Sequence, residues 1–396
     1  MYNIAVVLNA DGRTISNSAT FIRSHIDCLK EEFNVMTLVG NPGQRRLLDE
    51  ETDFQSLRFW PRAFRKLLRL ICRQTIRQQD NAALEKLFRD RGIHCCLAEY
   101  GMSGVGVMEV CNRLEIPLVV HFHGYDAYRH DLFETYRNDY SRMFDIASRV
   151  IAVSKDMKMR LEREIGFDEK LLHNSCGFNT TITSNELAYD TPKDPYAVSY
   201  VGRLTPKKDP VGLIKAFASV VKAVPEARLT IIGDGELRSQ CENEISKLAL
   251  QNDVVLLGTK DHQEVLGILS TSSVFIMNSV TAETGDKEGT PVSLMEAMAL
   301  GNTVIATRHG GIVDIVEHGE TGLLYNEFDY DSLSTLIISA LTGKTNSGIP
   351  ANGRNYAITN LSDAAKNNVL KNTILECIEQ ADGLRHTINQ SQEKVA

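Results

Sequence analysis

The chain has 396 residues, 43% apolar and 24% charged, an ordinary globular composition in a chain longer than one core usually spans. A formal net charge of −8 excludes nucleic-acid binding by the protein as a whole. Its eight cysteines form no Cys-x-x-Cys pair, which excludes a zinc-ribbon or disulfide framework and implies reduced, cytosolic thiols.

The apolar run 4–8 predicts a buried first strand. It lacks a basic leader and is too short for a signal sequence, and no run in the chain is long enough to span a membrane. A polar loop around Asp11, Gly12 and Asn17 follows, then a helix over about 19–32. Further strands are predicted at 35–39, 95–98, 118–122 and 150–153. Residues 57–79 carry Arg58, Arg62, Arg65, Lys66, Arg69, Arg73 and Arg77 with no acid, interleaved with Trp60, Phe64, Leu67, Leu68, Leu70 and Ile71. A basic amphipathic helix over Arg62 to Arg77 suits an anionic membrane surface, at about 1 kcal/mol per cation; a solvated basic face is the competing explanation. Strand 118–122 runs into His123-Gly124-Tyr125-Asp126. His121 and His123 alternate onto one face, and Gly124 permits a tight turn at the strand's carboxyl end.

Residues 180–196 are polar, contain Pro192 and Pro195, and are read as a linker. Beyond it, strands are predicted at 198–201, 228–232, 254–257, 274–277 and 303–306, with helices at 211–224 and 236–250. Strands alternating with helices predict an α/β protein of two doubly wound, Rossmann-like domains facing a cleft, with ligands at the carboxyl ends of the strands. The domains are placed at 1–182 and 195–362. A last helix at about 363–380 packs back on the first domain, and the final dozen polar residues are expected to be loose.

In the second half, Gly202 lets the chain leave a strand tightly, and Arg203 and Lys208 set two cations at its end, where both can reach one diphosphate. Gly233-Asp234-Gly235 follows the next strand. It is a weak dinucleotide fingerprint because Arg238 occupies the third glycine position. The most informative stretch is Glu288-Gly289-Thr290-Pro291-Val292, continuing to Glu296. Thr290 suits a helix cap and Pro291 a first helical position; the helix start is an anion site flanked by two carboxylates. Eight residues along a helix would set Glu288 and Glu296 about 12 Å apart against the usual 5–9.5 Å of a hydrolase pair. Glu288 is read as lying off the helix, so the idleness of Arg203 and Lys208 in a hydrolase of neutral sugars also counts against that reading. Asp329-Tyr330-Asp331 reads as a helix cap rather than a metal motif.

The ordered set Gly202-Arg203…Lys208, Gly233-Asp-Gly235, Gly258, Glu288-x7-Glu296, Gly310-Gly311 and Gly319-x-x-Gly322 resembles the retaining family-4 glycosyltransferases of the GT-B fold. The form of residues 285–292 is similar to bacterial exopolysaccharide and lipopolysaccharide transferases of the colanic-acid type. The resemblance implies a hexosyltransferase of surface-polysaccharide synthesis, acting on a nucleotide-sugar donor and a glycan or lipid-linked acceptor, without metal or cofactor. By the same resemblance Arg203 and Lys208 hold the donor diphosphate, Glu288 the donor sugar and Glu296 the ribose. Gly202, Gly233 and residues 289–292 line the donor, Thr259 and Lys260 border the base, and His123 stands by the donor sugar and phosphate. The first loop has one glycine where many relatives have a pair, which leaves donor and acceptor roles open; Asp11, Gly12, Asn17, His121 and Asp126 are placed on the acceptor side. A cytoplasmic protein at the inner face of the plasma membrane is implied. Two other readings are a non-catalytic nucleotide-sugar-binding partner and a GT-B sugar-nucleotide epimerase.

Overall fold

The computed structural model describes residues 1–8, 20–41, 45–48, 76–166, 169–180 and 191–393. Asp11, Gly12 and Asn17, and nearly all of the basic segment, lie outside these residues.

The first domain contains β1 (Asn3–Leu8), α1 (Thr20–Lys30), β2 (Asn34–Val39), β3 (Arg46–Leu47), α2 (Ile76–Asp90), β4 (Cys95–Glu99) and α3 (Gly101–Leu114). It continues with β5 (Leu118–Phe122), α4 (Tyr125–Tyr128), α5 (His130–Ile146), β6 (Arg149–Ala152), α6 (Lys155–Ile165) and β7 (Leu171–His173). The sheet order is β3-β2-β1-β4-β5-β6-β7, parallel except for β3. Strands β4 and β5 are buried along their whole length, as expected of a parallel sheet covered on both faces.

The second domain contains β8 (Asp194–Val201), α7 (Pro210–Ala223), β9 (Arg228–Ile232), α8 (Arg238–Lys247), β10 (Val254–Leu256), α9 (His262–Thr271) and β11 (Ser272–Met277). Then come α10 (Val292–Ala299), β12 (Thr303–Thr307), β13 (Leu323–Tyr325), α11 (Tyr330–Leu341), α12 (Ile349–Asn360) and α13 (Asp363–Glu393). Its sheet, β10-β9-β8-β11-β12-β13, is wholly parallel. Both domains therefore reverse strand order once, between β1 and β4 and between β8 and β11. At these points successive connections leave in opposite directions and open a crevice at the carboxyl edge.

All ten apolar runs read from the sequence are strands. The strands missed, β3, β7 and β13, have two or three residues each, too few to show a period. Helix α13 is longer than the expected 363–380 and continues to Glu393, into the last dozen residues expected to be loose. Its Leu370, Ile374, Cys377 and Ile378 share a buried cluster with Ile22, Ile26 and Leu29 of α1. Burying such side chains stabilises by roughly 1.5–3 kcal/mol each. The chain crosses between domains at two adjacent points, where Phe178 N donates to Leu361 O (3.1 Å) and Asp363 N to Phe178 O (2.9 Å).

Candidate active site

The second domain supplies a cationic pocket at its switch point. Beyond β8 the chain turns at Gly202 and forms a 3-10 turn, Pro206–Lys208, which brings two lysines to the sheet's carboxyl edge. The buried Lys208 ammonium lies 2.7 Å from Glu288 Oε2, which also accepts from Ser279 Oγ at 3.3 Å. Lys207 Nζ meets Asp286 Oδ2 at 3.1 Å and donates to Lys287 O at 3.2 Å. Arg203 is exposed and makes no ion pair among the described residues.

Burial drives both members of the Lys208–Glu288 pair toward neutrality, but the balance differs. For Glu288 the nearby Lys208 and Lys207 ammoniums overcome burial and hold its carboxyl down at about 2. For Lys208 burial prevails over the Glu288 carboxylate, aided by the like charges of Lys207 and Arg203, and its pKa is lowered. Lys207, Lys208 and Arg203 thus stand against the two carboxylates of Asp286 and Glu288, one positive charge in excess, a field that favours an anion.

Glu288 is also fixed through its backbone. Its amide donates to His309 Nε2 at 3.0 Å, and His309 Nδ1 lies 2.6 Å from Glu327 Oε1. Because Nε2 accepts, the hydrogen-bond pattern assigns the proton to Nδ1. Glu327 is oriented in turn by Thr281, whose amide donates to Oε2 at 2.7 Å and whose hydroxyl donates to Oε1 at 3.2 Å. Sequence reasoning named neither His309 nor Glu327; the only cue was the position of His309 directly before Gly310-Gly311.

The helix after Glu288 starts differently from expectation. Helix α10 begins at Val292 with Pro291 in the cap position and no side-chain cap. Thr290 does not cap it: its hydroxyl donates across the domain boundary to Val153 O at 2.8 Å. Proline offers no polar side chain, so the first-turn amides of Val292 and Ser293 have neither a cap nor an intrahelical acceptor. Glu296 lies one turn further along, buried, and its Oε1 is 2.8 Å from His262 Nε2 at the start of α9. This bond is the main influence raising the His262 pKa. Thr259 and Lys260 border the same edge; Lys260 Nζ is held by Glu264 at 2.9 Å. Gly233 has a packing role. It adopts φ +134°, and a Cβ there would stand 2.0 Å from Gly202 O, so only glycine lets the ends of β8 and β9 approach. Asp329 caps α11, accepting from Ser332 N at 3.0 Å.

In the first domain, Glu99 ends β4 with no exposure and is ringed by histidines. His25 Nδ1 is 2.9 Å from Oε1; His123 Nε2 and His121 Nδ1 are 2.6 and 3.7 Å from Oε2. Burial alone would raise the Glu99 pKa, but the facing His25 and His123 imidazoles hold it well below the usual carboxylate range. His121 is fully buried, which keeps its imidazole neutral well below its usual pKa. His25, Glu99 and His121 bring donor atoms within 4.8 Å of one another, a metal-like spacing, but Glu99 is already bonded to His25 and His123. His123 turns inward, with Nδ1 3.8 Å from Cys176 Sγ. Asp126 is fully buried, and burial raises its pKa. Oδ1 accepts from the amides of His123 (3.1 Å) and Gly124 (2.9 Å), and Oδ2 from Gly101 (3.0 Å). The imidazoles of His121 and His123 and the Asp126 carboxylate are therefore committed to the domain interior, and what reaches the cleft here is backbone.

The domains meet at this backbone. A Cβ on Gly289 would fall 2.2 Å from His123 O, and one on Gly311 would fall 3.0 Å from Ser154 Cβ. His130 N donates to Thr284 O at 2.9 Å, and Lys155 N donates to Asp314 Oδ2 at 2.7 Å. The backbone of Lys287 and Gly289, on either side of Glu288, thus faces the His123-Gly124 turn directly. Glu296 and His262 form a separate group toward Thr259.

Comparison with known proteins follows the same division. Residues 19–181 match the family model described as Glycosyltransferase Family 4, and residues 183–358 match that described as Glycosyl transferases group 1. The chain is 31% identical over 250 residues to the amylovoran biosynthesis glycosyltransferase AmsK of Erwinia amylovora, covering 63% of this chain and 61% of the relative. It is 30% identical over 240 residues to the putative colanic acid biosynthesis glycosyltransferase WcaL of Escherichia coli, covering 60% and 59%. The chain therefore spans about three-fifths of the length of the curated relatives it matches. Among solved structures, Anabaena HepE in complex with UDP superimposes with a TM-score of 0.73 at 19% identity, over 94% of this chain and 100% of that one. Sucrose-phosphate synthase from Thermosynechococcus elongatus gives a TM-score of 0.69 at 20% identity, over 99% and 100%.

Proposed function

The chain belongs to the glycosyltransferases of the two-domain GT-B type, and from that premise we propose that it transfers a hexosyl group from a nucleoside-diphosphate sugar to a glycan or lipid-linked acceptor. The observation that carries this reading is the over-cationic pocket of Lys208, Lys207 and Arg203 beside the open start of α10. As the bond between the anomeric carbon and the diphosphate breaks, negative charge gathers on the leaving oxygen. Fixed ammonium, guanidinium and amide donors stabilise that charge. They supply this role without a metal. Glu288, kept ionised, accepts from the donor sugar's hydroxyls, and Glu296 from the ribose, while Thr259 and Lys260 border the base.

The acceptor oxygen attacks on the face the diphosphate leaves, so the anomeric configuration is retained. The new C–O bond replaces the C–O(phosphate) bond, and the acceptor's proton passes to the departing diphosphate. The role of bacterial surface-polysaccharide synthesis is supported by relatives named for amylovoran and colanic acid biosynthesis. A donor carrying UDP is favoured by the UDP and UDP-glucose complexes of the HepE fold relative.

Among the described residues no helix is long and apolar enough to cross a membrane. The basic segment, Arg62 to Arg77, recruits the enzyme to an anionic cytoplasmic surface where lipid-linked acceptors reside. Flotation with phosphatidylglycerol liposomes tests this: neutralising Arg62, Arg65, Lys66, Arg69 and Arg73 should abolish co-flotation, and unchanged flotation refutes it. For the main reading, a panel of nucleotide sugars is screened by thermal shift and the best donor is then incubated with and without acceptor glycosides. Release of nucleoside diphosphate with a glycoside of retained anomeric configuration is expected. An epimerised donor without transfer would establish the epimerase instead, and binding without turnover a silent partner.

A further inference from the structure

Helix α9 is built to hold its first residue still. Asp261 caps it, with Oδ1 accepting from Glu264 N at 2.8 Å, and Glu264 Oε2 accepts in return from Asp261 N at 3.1 Å. This reciprocal pair satisfies two amides at the helix start and fixes the entry of the chain. The loop before it is tied down as well, since Gly233 N donates to Gly258 O at 2.9 Å just beyond the ends of β9 and β10. Val265 and Leu269 of α9 share a buried cluster with Leu294, Met295 and Met298 of α10, which sets the two helices against each other. His262, the first residue of α9, therefore reaches Glu296 of α10 from a rigid frame.

The pair they form is unequal. The His262 side chain is 45% exposed and that of Glu296 only 8%, so the histidine stands on the open side of the carboxylate. An ionised carboxylate only accepts, so in their 2.8 Å contact His262 Nε2 donates to Glu296 Oε1. Oε2 has no hydrogen-bond partner among the described residues. A carboxylate taken so far from water is costly unless its oxygens are hydrogen-bonded, and one of these two still lacks a donor. The bond at Oε1 also fixes a side chain with several free torsions before any ligand arrives, so the ligand does not bear that ordering cost.

We propose that His262 is a positioning residue for the donor's nucleoside: by engaging Oε1 it turns the Glu296 carboxylate so that Oε2 accepts from a ribose hydroxyl, which selects ribonucleoside over deoxyribonucleoside diphosphates. This rests on the donor role given to Glu296 above. The histidine touches no ligand in this arrangement. Its imidazole also shares a proton with a carboxylate that would otherwise repel the donor's diphosphate.

Calorimetric titration of the full chain with UDP, GDP and ADP, and with the 2′-deoxy and 3′-deoxy forms of whichever binds, tests this. A hydrogen bond from a hydroxyl to a carboxylate is of the charge-assisted kind, so at least one deoxy form should bind wild type about tenfold more weakly. His262→Ala should keep a cooperative melt, because the side chain is exposed and alanine favours a helix. It should cut the discrimination to about threefold or less, chiefly by weakening the ribonucleotide. His262→Gln, whose amide can still donate to Oε1, should restore most of it. Discrimination unchanged in His262→Ala, whether the two forms weaken equally or not at all, overturns the proposal. So does a tighter ribonucleotide in that variant, because the histidine would then compete with the ribose for Glu296. A wild-type protein that binds ribose and deoxyribose forms alike removes the ribose contact, and the proposal with it, while the glycosyltransferase reading stands. Binding of none of the nucleotides by wild type overturns the donor reading itself.

Discussion

Lys208 shows how a single side chain is made useful by being placed under strain of charge rather than of geometry. It sits buried, 2.7 Å from Glu288, yet burial and the like charges of Lys207 and Arg203 lower its pKa. Under the proposed function, a donor diphosphate entering the pocket would supply the anion that this lysine lacks. Removing one such fixed donor typically costs about 10²–10³ in kcat, and Lys208→Ala should fall in that range. Turnover assays on a variant that still melts cooperatively check this; a rate within threefold of wild type refutes the role. The relay from Glu327 through His309 to the Glu288 amide belongs to the same scale. His309 touches no ligand in this scheme; it positions the residue that does. Its identity was not legible in the sequence, because a buried histidine and a surface one look alike until their partners, here 18 and 21 positions away, are folded against them.

At the scale of elements, the loop before α10 matters most. The sequence suggests a Thr290 cap with Pro291 as first helical residue; in the fold Pro291 takes the cap position and Thr290 reaches to Val153 of the other domain. The two sequence patterns are locally equivalent, and the neighbouring domain decides between them by offering a carbonyl. Gly289 is the tightest point of that contact, since a Cβ would fall 2.2 Å from His123 O. Gly289→Ala should therefore prevent the domains from approaching without unfolding either. The expected result is a drop in transfer of at least tenfold with affinity for the donor nucleotide changed far less, read by initial rates and nucleotide titration; an unimpaired transfer rate would show that the contact is dispensable. The strands, by contrast, were legible wherever an apolar run reached about four residues. The short edge strands were not, because they are held by pairing with a neighbour rather than by their own pattern.

At the scale of the whole molecule, buried charge makes stability depend on pH. Glu99 and Glu288 have lowered pKa values, so their contribution is complete above the ordinary 4.5 and is lost as pH falls, for Glu288 toward about 2. His121, kept neutral by burial, acts in the same direction at higher pH: below its ordinary 6.5 the unfolded chain takes up a proton that the folded chain refuses. Asp126, whose pKa is raised, opposes this weakly between its ordinary 3.8 and its folded value. The melting temperature should thus decline from about pH 6.5 downward and steepen below 4.5. Calorimetry across pH 3–8 reads this directly, and a flat profile between 6.5 and 4.5 would contradict the neutral His121.

The sequence by itself determined the two doubly wound domains, the order of their strands along the chain and the cluster of Arg203, Lys208 and Glu288. These follow from local periodicity and from residue types whose chemistry is independent of context. Only the tertiary structure decided which of the named groups face outward. It turned the side chains of His121, His123 and Asp126 into the first domain and made Gly233 and Gly289 points of backbone contact. The physical reason is that burial and hydrogen-bond partnership are properties of what the rest of the chain brings alongside. A histidine at a strand's end carries no mark of whether a glutamate from the next strand, Glu99, will claim it.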